Sequence, residues 1–236
     1  MAIISAIYSI SDDFDTSDIW NRLKYITEHT TVHLVCSKSD KSKITANIIP
    51  YFIEFTELET YKILQNATGL PRIRNEKKDT LNFMTLMNAK SEFIKIVKDA
   101  NKDISHFIWF DAGISKIFKH PTETLKNIFN IIATNNFKSN SIFIPGCWSF
   151  TPNFDKLLTS VCWRFCGGFF IIPRKLVNLF HYTVCRGCED IIFKSGLAVW
   201  EVNVWAYIEK DLPIHWIYGD HDDTIFSGIY SYTLVT

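Results

Sequence analysis

The sequence lacks the glycine-rich loops by which common nucleotide-binding folds hold phosphates. It contains no GxGxxG segment after its first apolar run and no GxxxxGK[ST] segment, and it also lacks the GxSxG turn that presents a nucleophilic serine. These absences argue against a nicotinamide-dependent dehydrogenase and a P-loop NTPase.

An excess of charge of one sign is also missing. The chain carries 25 basic and 25 acidic side chains, so we expect no general attraction to nucleic acid or anionic lipid. No apolar run approaches the ~20 residues that a membrane helix needs, and the opening MAIISAIYSI lacks the basic segment of a signal peptide. We therefore expect a cytoplasmic protein without a membrane span, whose six cysteines are mostly reduced.

What is present is an alternation of short β-branched runs with amphipathic segments. With 236 residues, 47% of them hydrophobic, the chain is long enough for one substantial core. We predict a single α/β domain over 1–236, with a mostly parallel central sheet and helices on both faces. The predicted strands are 2–10, 31–36, 48–55, 106–111, 141–145, 167–173 and 213–220, and the predicted helices are 18–28, 77–98, 122–134, 174–185 and 196–211.

Two polar segments directly follow predicted strands. Asp111 ends the apolar run HFIWF and is followed by two small residues, and YGDHDDT (218–224) places three acids around His221. Ligands of open α/β sheets bind beyond the carboxyl ends of the strands, and carboxylates with one imidazole suit Mn²⁺ or Mg²⁺. Each segment by itself is also typical of an ordinary polar turn.

Further candidates are less specific. The pair Gly167-Gly168 lets backbone approach another group closely, or simply makes a tight turn. Glu201, between Trp200 and Trp205, suits sugar-hydroxyl binding or proton abstraction, or lies at the surface beside core tryptophans.

A local basic cluster suits a phosphate-bearing ligand or a solvated loop and helix start; its members are Arg72, Arg74, Lys77 and Lys78. Cysteines occur in two closely spaced pairs, Cys162 with Cys166 and Cys185 with Cys188. Such pairs can form a structural zinc site, although buried free cysteines are also common. A nucleophilic Cys185 activated by His181 is disfavoured, because no second signature supports it.

The order and spacing of several segments resemble the HtrL/YibB-like family of glycosyltransferases and, more broadly, nucleotide-sugar-dependent enzymes of the GT-A fold. The resemblance spans about 70–230 and rests on DTLNFMTLMNAKSEFIKIVKDA, HFIWFDAGI, RFCGGFFIIPRKLV and VWEVNVWAYIEKDLPIHWIYGDHDDTI. It implies a GT-A-like domain with a nucleotide-binding half (1–111) and an acceptor and metal half (112–236).

The resemblance also implies roles for single residues. Asp111 and His221 match the places of metal ligands for Mn²⁺ or Mg²⁺, although Gly113 stands where a second acid is usual. For the nucleotide-sugar donor it implies contacts from Asn88 and Lys90, with Arg74 as a further cation, and from the Gly167-Gly168 loop. Glu201 matches the region of an acceptor-activating base.

The resulting expectation is an enzyme that moves a hexose from a UDP-sugar to a hydroxyl of a glycan or protein, with either stereochemical outcome. Two alternatives stay open. The shortened acidic motif suits a sugar- or nucleotide-binding protein without turnover, and the segment DHDD suits a metal-dependent hydrolase.

Overall fold

The structure is a computed structural model that describes residues 1–11, 15–134 and 140–229. Seven strands form one sheet: β1 (Ala2–Ile7), β2 (Val32–Cys36), β3 (Ile48–Phe52), β4 (His106–Phe110), β5 (Ile142–Gly146), β6 (Phe169–Pro173) and β7 (Ile214–Tyr218). Their order across the sheet is β3-β2-β1-β4-β6-β5-β7. Every pairing is parallel except those of β6, which runs antiparallel to both β4 and β5.

Helices cover both faces of the sheet. They are α1 (Ser17–Thr27), α2 (Glu59–Leu64), α3 (Leu81–Asn88), α4 (Lys90–Ala100), α5 (Pro121–Thr134), α6 (Phe154–Thr159), α7 (Val177–Ser195) and α8 (Glu201–Ile208). Short 3₁₀ turns lie at Lys38–Lys43, Phe55–Glu57, Ile114–Ile117, Arg174–Leu176, Glu209–Asp211 and Asp223–Phe226. The predicted α/β class, with a mostly parallel sheet and helices on both faces, is confirmed.

Alternation along the central strand divides the core in two. On β4, Phe107 and Trp109 face the cluster built with α4, α7 and α8, whereas Ile108 and Phe110 face the cluster built with α1 and α5. A strand that is apolar on both faces is expected where helices cover both sides of a sheet. None of the helices in the described ranges is both long and apolar enough to cross a bilayer.

The predicted helix 77–98 differs from the structure at its start and in its middle. The first residues form a hydrogen-bonded loop, in which Asn75 N–H donates to Asp79 at 3.0 Å, and the Thr80 hydroxyl caps α3 by accepting from Phe83 N–H. A turn at Ala89 then separates α3 from α4. The interruption makes Lys90 the first residue of a new helix.

The predicted helix 196–211 is shorter in the structure. Gly196 has a positive φ of 73°, and its carbonyl accepts from Thr68 N–H at 2.8 Å and Gly69 N–H at 3.1 Å. Ala198 N–H in turn donates to the Gly69 carbonyl at 3.0 Å. These backbone bonds hold Gly196 and Ala198 against 68–69, so that the segment stays non-helical and the helix begins only at Glu201.

Candidate functional site at the carboxyl edge of the sheet

The strand directions bring four chain segments to one edge of the sheet. Residues after β4, β5 and β7 lie there because these strands run parallel, and Gly167-Gly168 lie there because antiparallel β6 begins at that edge. Phe110 pairs with Phe169, and Asp111 N–H donates to the Gly168 carbonyl at 2.9 Å. The antiparallel strand therefore sets the glycine pair directly beside Asp111.

A buried lysine lies at the centre of this edge. Lys90 Nζ is 2.9 Å from Glu201 Oε1 and 3.0 Å from Asp111 Oδ1, and it also donates to the Gly167 carbonyl at 2.9 Å. The side chains of Lys90 and Glu201 are 1% and 8% exposed, whereas that of Asp111 is 34% exposed. We call Lys90, Asp111 and Glu201 the lysine cluster.

Lys90 keeps its positive charge. Burial by itself lowers the pKa of Lys90, but the charges of Asp111 and Glu201 and their hydrogen bonds outweigh it, so the pKa lies above its ordinary value. The ammonium also lies over the Trp109 ring, 5.8 Å from its centroid. A charged ammonium thus lies beside the more exposed of the two carboxylates of the cluster.

Gly167 is required for this close packing. A Cβ built on Gly167 would lie 2.3 Å from Glu201 Oε1 and 3.2 Å from Lys90 Nζ. At Gly168 the nearest atom would be Asp111 Oδ2 at 3.6 Å, an ordinary contact. The close backbone approach predicted for the glycine pair is therefore found at Gly167, where the backbone packs against the protein's own lysine cluster.

A cavity of about 540 Å³ opens above the lysine cluster. Asp111, Gly167, Gly168, Glu201, Arg74 and His221 all lie in its wall. Its aromatic lining is Phe83, Phe93, Trp109, Trp163 and Trp200. A large concave site with aromatic walls and a few convergent charged groups is the usual form of a small-molecule site.

Arg74 carries a donor without a partner. Its Nη1 donates to the Pro71 carbonyl at 3.1 Å, but Nε is buried and has no hydrogen-bond partner among the described residues. Buried polar groups are normally satisfied. An acceptor on a bound ligand would satisfy this one.

Three further cations line the cavity: Arg22, Lys78 and Lys116. Lys78 belongs to the basic cluster identified in the sequence, whereas sequence reasoning did not single out Arg22 or Lys116. Arg22 and Lys78 are paired with Asp18 and Asp79. The Lys116 side chain is exposed and makes no hydrogen bond or ion pair within the described ranges. Lys116 lies only five positions after Asp111. Its place just after the end of a predicted strand could have identified it as a candidate.

Asp111 has few free positions for a metal. Its Oδ1 accepts from Trp109 Nε1 at 2.7 Å as well as facing Lys90, and Oδ2 lies 3.4 Å from Lys90 Nζ. Mg²⁺ and Mn²⁺ favour several oxygen ligands, whereas this site offers one carboxylate beside an ammonium. The donor set therefore fits such an ion poorly, and the Asp111–His221 metal site stays a prediction.

The segment 218–224 is a hydrogen-bonded turn. Asp220 accepts from His221 N–H at 2.7 Å, and Asp222 caps the following 3₁₀ turn by accepting from Thr224 N–H at 2.8 Å. Asp220 and Asp222 therefore stabilise the turn. His221 points its Nδ1 toward two thiols, Cys147 and Cys166, each 3.9 Å away.

Asn88 lies away from the cavity. It is buried, and its amide donates to the Met84 carbonyl at 2.9 Å and the Val199 carbonyl at 2.8 Å. Its carbonyl oxygen is 3.5 Å from Cys188 Sγ. Asn88 thereby joins α3 to the segment before α8. The sequence-based prediction of a donor contact did not foresee this structural role.

The structure does not bring the four predicted zinc cysteines together. Among the described residues, the groups that could share an ion contain Cys166 or Cys185, but neither contains Cys162 or Cys188. Cys188 instead contacts Asn88, and Cys162 Sγ accepts from Arg164 N–H at 3.4 Å. The four cysteines therefore share no metal site, and the other interpretation, buried free cysteines, describes all four.

Comparisons with known proteins add a likeness in fold. No family model and no curated protein sequence matches the chain. Among solved structures, it is similar to the galactosyltransferase LgtC in complex with donor and acceptor sugar analogues, with 9% identity over 93% of this chain and 73% of that chain and a TM-score of 0.49. At those values the likeness supports no conclusion about activity, and the HtrL/YibB-like resemblance stays a prediction.

Proposed function

We propose that the protein is a glycosyltransferase that moves a hexose from a nucleotide-sugar, a UDP-hexose, to a hydroxyl of a glycan or protein. The observation that carries the proposal is the lysine cluster at the floor of a cavity of about 540 Å³. That cavity lies at the carboxyl edge of a mostly parallel sheet, where ligands of open α/β sheets bind.

The cavity wall suits the two ends of such a donor. Its aromatic rings supply flat apolar surface for a base, and its cations supply charge for a diphosphate. In this proposal the unpartnered Nε of Arg74 and the free ammonium of Lys116 meet phosphate oxygens. Negative charge that develops on the leaving diphosphate is stabilised by such fixed cations.

The carboxylates of the lysine cluster suit the sugar and the acceptor. Asp111 is the more exposed and lies where a sugar hydroxyl can donate to it. Glu201 also lines the cavity and is our candidate for the base that deprotonates the acceptor in an inverting reaction. Lys90 positions both side chains by bonding to them at 2.9 and 3.0 Å.

The proposal does not route the reaction through a divalent ion, because the protein ligands for one are few. If Mn²⁺ or Mg²⁺ is required, Asp111 is the carboxylate that would hold it, and the ion would add charge at the diphosphate. Donor binding measured with and without Mn²⁺ decides whether the ion is required.

Binding without turnover is the second candidate. The ion pairs of both Asp111 and Glu201 with Lys90 favour it, since each carboxylate already has a partner. Hydrolysis of UDP-hexose by the pure protein, lost in Asp111→Asn, would exclude this candidate.

Calorimetric titration with UDP and UDP-hexose tests the proposal. We expect binding that weakens by about 10- to 100-fold in Arg74→Ala, the loss of one charge-assisted hydrogen bond. Arg186→Ala is the matched control, because Arg186 is exposed on α7 and pairs with Glu189 away from the cavity. Absence of UDP binding to the wild type, or equal affinity in Arg74→Ala, would contradict the proposal.

A further inference from the structure

A second cluster of side chains lies beside the cavity, outside the lysine cluster. The sulfurs of Cys147 and Cys166 are 3.6 Å apart, and each is 3.9 Å from His221 Nδ1. These three ligand atoms lie mutually close enough to surround one ion. We call this set the thiol cluster.

The spacing within the thiol cluster matches a tetrahedral zinc site. Zinc–sulfur bonds of about 2.3 Å and zinc–nitrogen bonds of about 2.05 Å at tetrahedral angles place two sulfurs about 3.8 Å apart and a sulfur about 3.6 Å from a nitrogen. The observed distances, 3.6 and 3.9 Å, lie within about 0.3 Å of these values. No rearrangement of the backbone is needed to seat the ion.

The backbone fixes the three segments that carry the ligands. Cys166 N–H donates to the Pro145 carbonyl at 2.7 Å, and Gly219 N–H donates to the Gly146 carbonyl at 3.0 Å. The parallel pairing of β5 with β7 continues to Gly146 and Tyr218, directly before Cys147 and Gly219. The site is therefore built by the sheet edge and does not depend on a free loop.

Asp220 lies beside two of the three ligands. Its Oδ1 is 3.2 Å from Cys147 Sγ and 3.4 Å from His221 Nδ1. Asp220 does not belong to the group of mutually close ligand atoms, so we count only the two sulfurs and the imidazole nitrogen as ligands. A second group of possible metal ligands consists of Glu59, His181 and Cys185. It offers only one thiol, and His181 is already paired with Glu59, so we propose no zinc site there.

We propose that Cys147, Cys166 and His221 bind one zinc ion. Two thiolates with one imidazole select zinc over Mg²⁺ or Mn²⁺. The ion fastens the turn after β7 to the segments flanking β5 and β6. It also fixes His221 against Trp163, where their ring centroids are 4.2 Å apart in the cavity wall.

Metal analysis and cobalt substitution test this proposal. Protein purified under reducing conditions should hold one zinc per chain, and replacement by Co²⁺ should give a thiolate-to-cobalt charge-transfer band. Cys147→Ser is a mild change at a half-buried thiol and should abolish both. Cys162→Ser is the matched control, because Cys162 is a nearby buried thiol outside the cluster and should leave both unchanged.

A thermal readout supplies an independent check. Because zinc binds the folded chain, a chelator should lower the melting temperature of the wild type and of Cys162→Ser, but not that of Cys147→Ser. A wild-type protein that takes up neither zinc nor Co²⁺ would overturn the proposal. Metal that persists in both Cys147→Ser and His221→Gln would overturn it equally.

Discussion

Replacing Lys90 by methionine removes the one charge that compensates Glu201. The carboxylate would keep its buried position, 8% exposed, without an ammonium at 2.9 Å. Removing one partner of a buried pair typically costs ~3–5 kcal/mol, because an uncompensated charge remains. In a domain of this length that corresponds to a fall in melting temperature of roughly 6–20 °C. Asp111 adds little to this cost, since water reaches it.

The double variant Lys90→Met/Glu201→Gln distinguishes the energy of the ion pair from the energy of side-chain packing. With both charges gone, the cost should be smaller than the sum of the single costs by about 2 kcal/mol or more. Lys95→Met is the control on the same helix, because its ion pair with Asp99 is exposed and should be worth less than ~1 kcal/mol. Urea denaturation of the wild type, Lys90→Met, Glu201→Gln, the double variant and Lys95→Met gives these costs. Additive costs, or a Lys90→Met cost as small as that of Lys95→Met, would refute the buried-pair interpretation.

The remaining predictions concern the surroundings of this pair. Gly167→Ala should cost about 1–3 kcal/mol by pushing Glu201 off Lys90, whereas Gly168→Ala should change the free energy of unfolding by less than about 0.5 kcal/mol; equal costs in urea denaturation would contradict this. Asn88→Ala should cost roughly 1–3 kcal/mol by leaving the Val199 carbonyl unpaired, with unchanged affinity for UDP in calorimetry. The pKa of Lys90 is raised in the folded state, so its stabilisation is fully present below its ordinary value of 10.5 and is lost as pH rises toward the folded value. Chemical denaturation between pH 9 and 11.5 should therefore show a steeper loss in the wild type than in Lys90→Met/Glu201→Gln, and parallel slopes would count against the shift.

Local pattern was enough to predict the strands and the class of fold. Apolar runs such as HFIWF mark strands buried on both faces, and the polar residues that follow them mark the strand ends. The same pattern placed Asp111 at the edge where the cavity opens. It did not show that β6 runs antiparallel, because the direction of a strand is set by its partners and connections.

The predicted helices 77–98 and 196–211 differ from the structure for different reasons, one local and one long-range. Ala89 favours helix by itself, so nothing in the segment predicts the turn that makes Lys90 a helix start. The non-helical path of 196–200 depends on hydrogen bonds to 68–69, more than a hundred positions earlier. Such long-range pairing overrides the helical periodicity of the segment.

The site chemistry was visible only in part. The sequence identified each member of the lysine cluster as a candidate. It did not show that they lie together, because their contacts join residues 21 and 111 positions apart. Cys147 went unnoticed because its partners, Cys166 and His221, lie 19 and 74 positions away. Close spacing in sequence instead directed the zinc prediction to cysteines that the fold separates.

A crystal structure of the protein soaked with UDP and Mn²⁺ tests the central claim most directly. The account predicts the diphosphate in the cavity above the lysine cluster, with an oxygen accepting from Arg74 Nε and the base against the aromatic wall. An empty cavity at saturating UDP, or UDP bound at another face of the sheet, would contradict it.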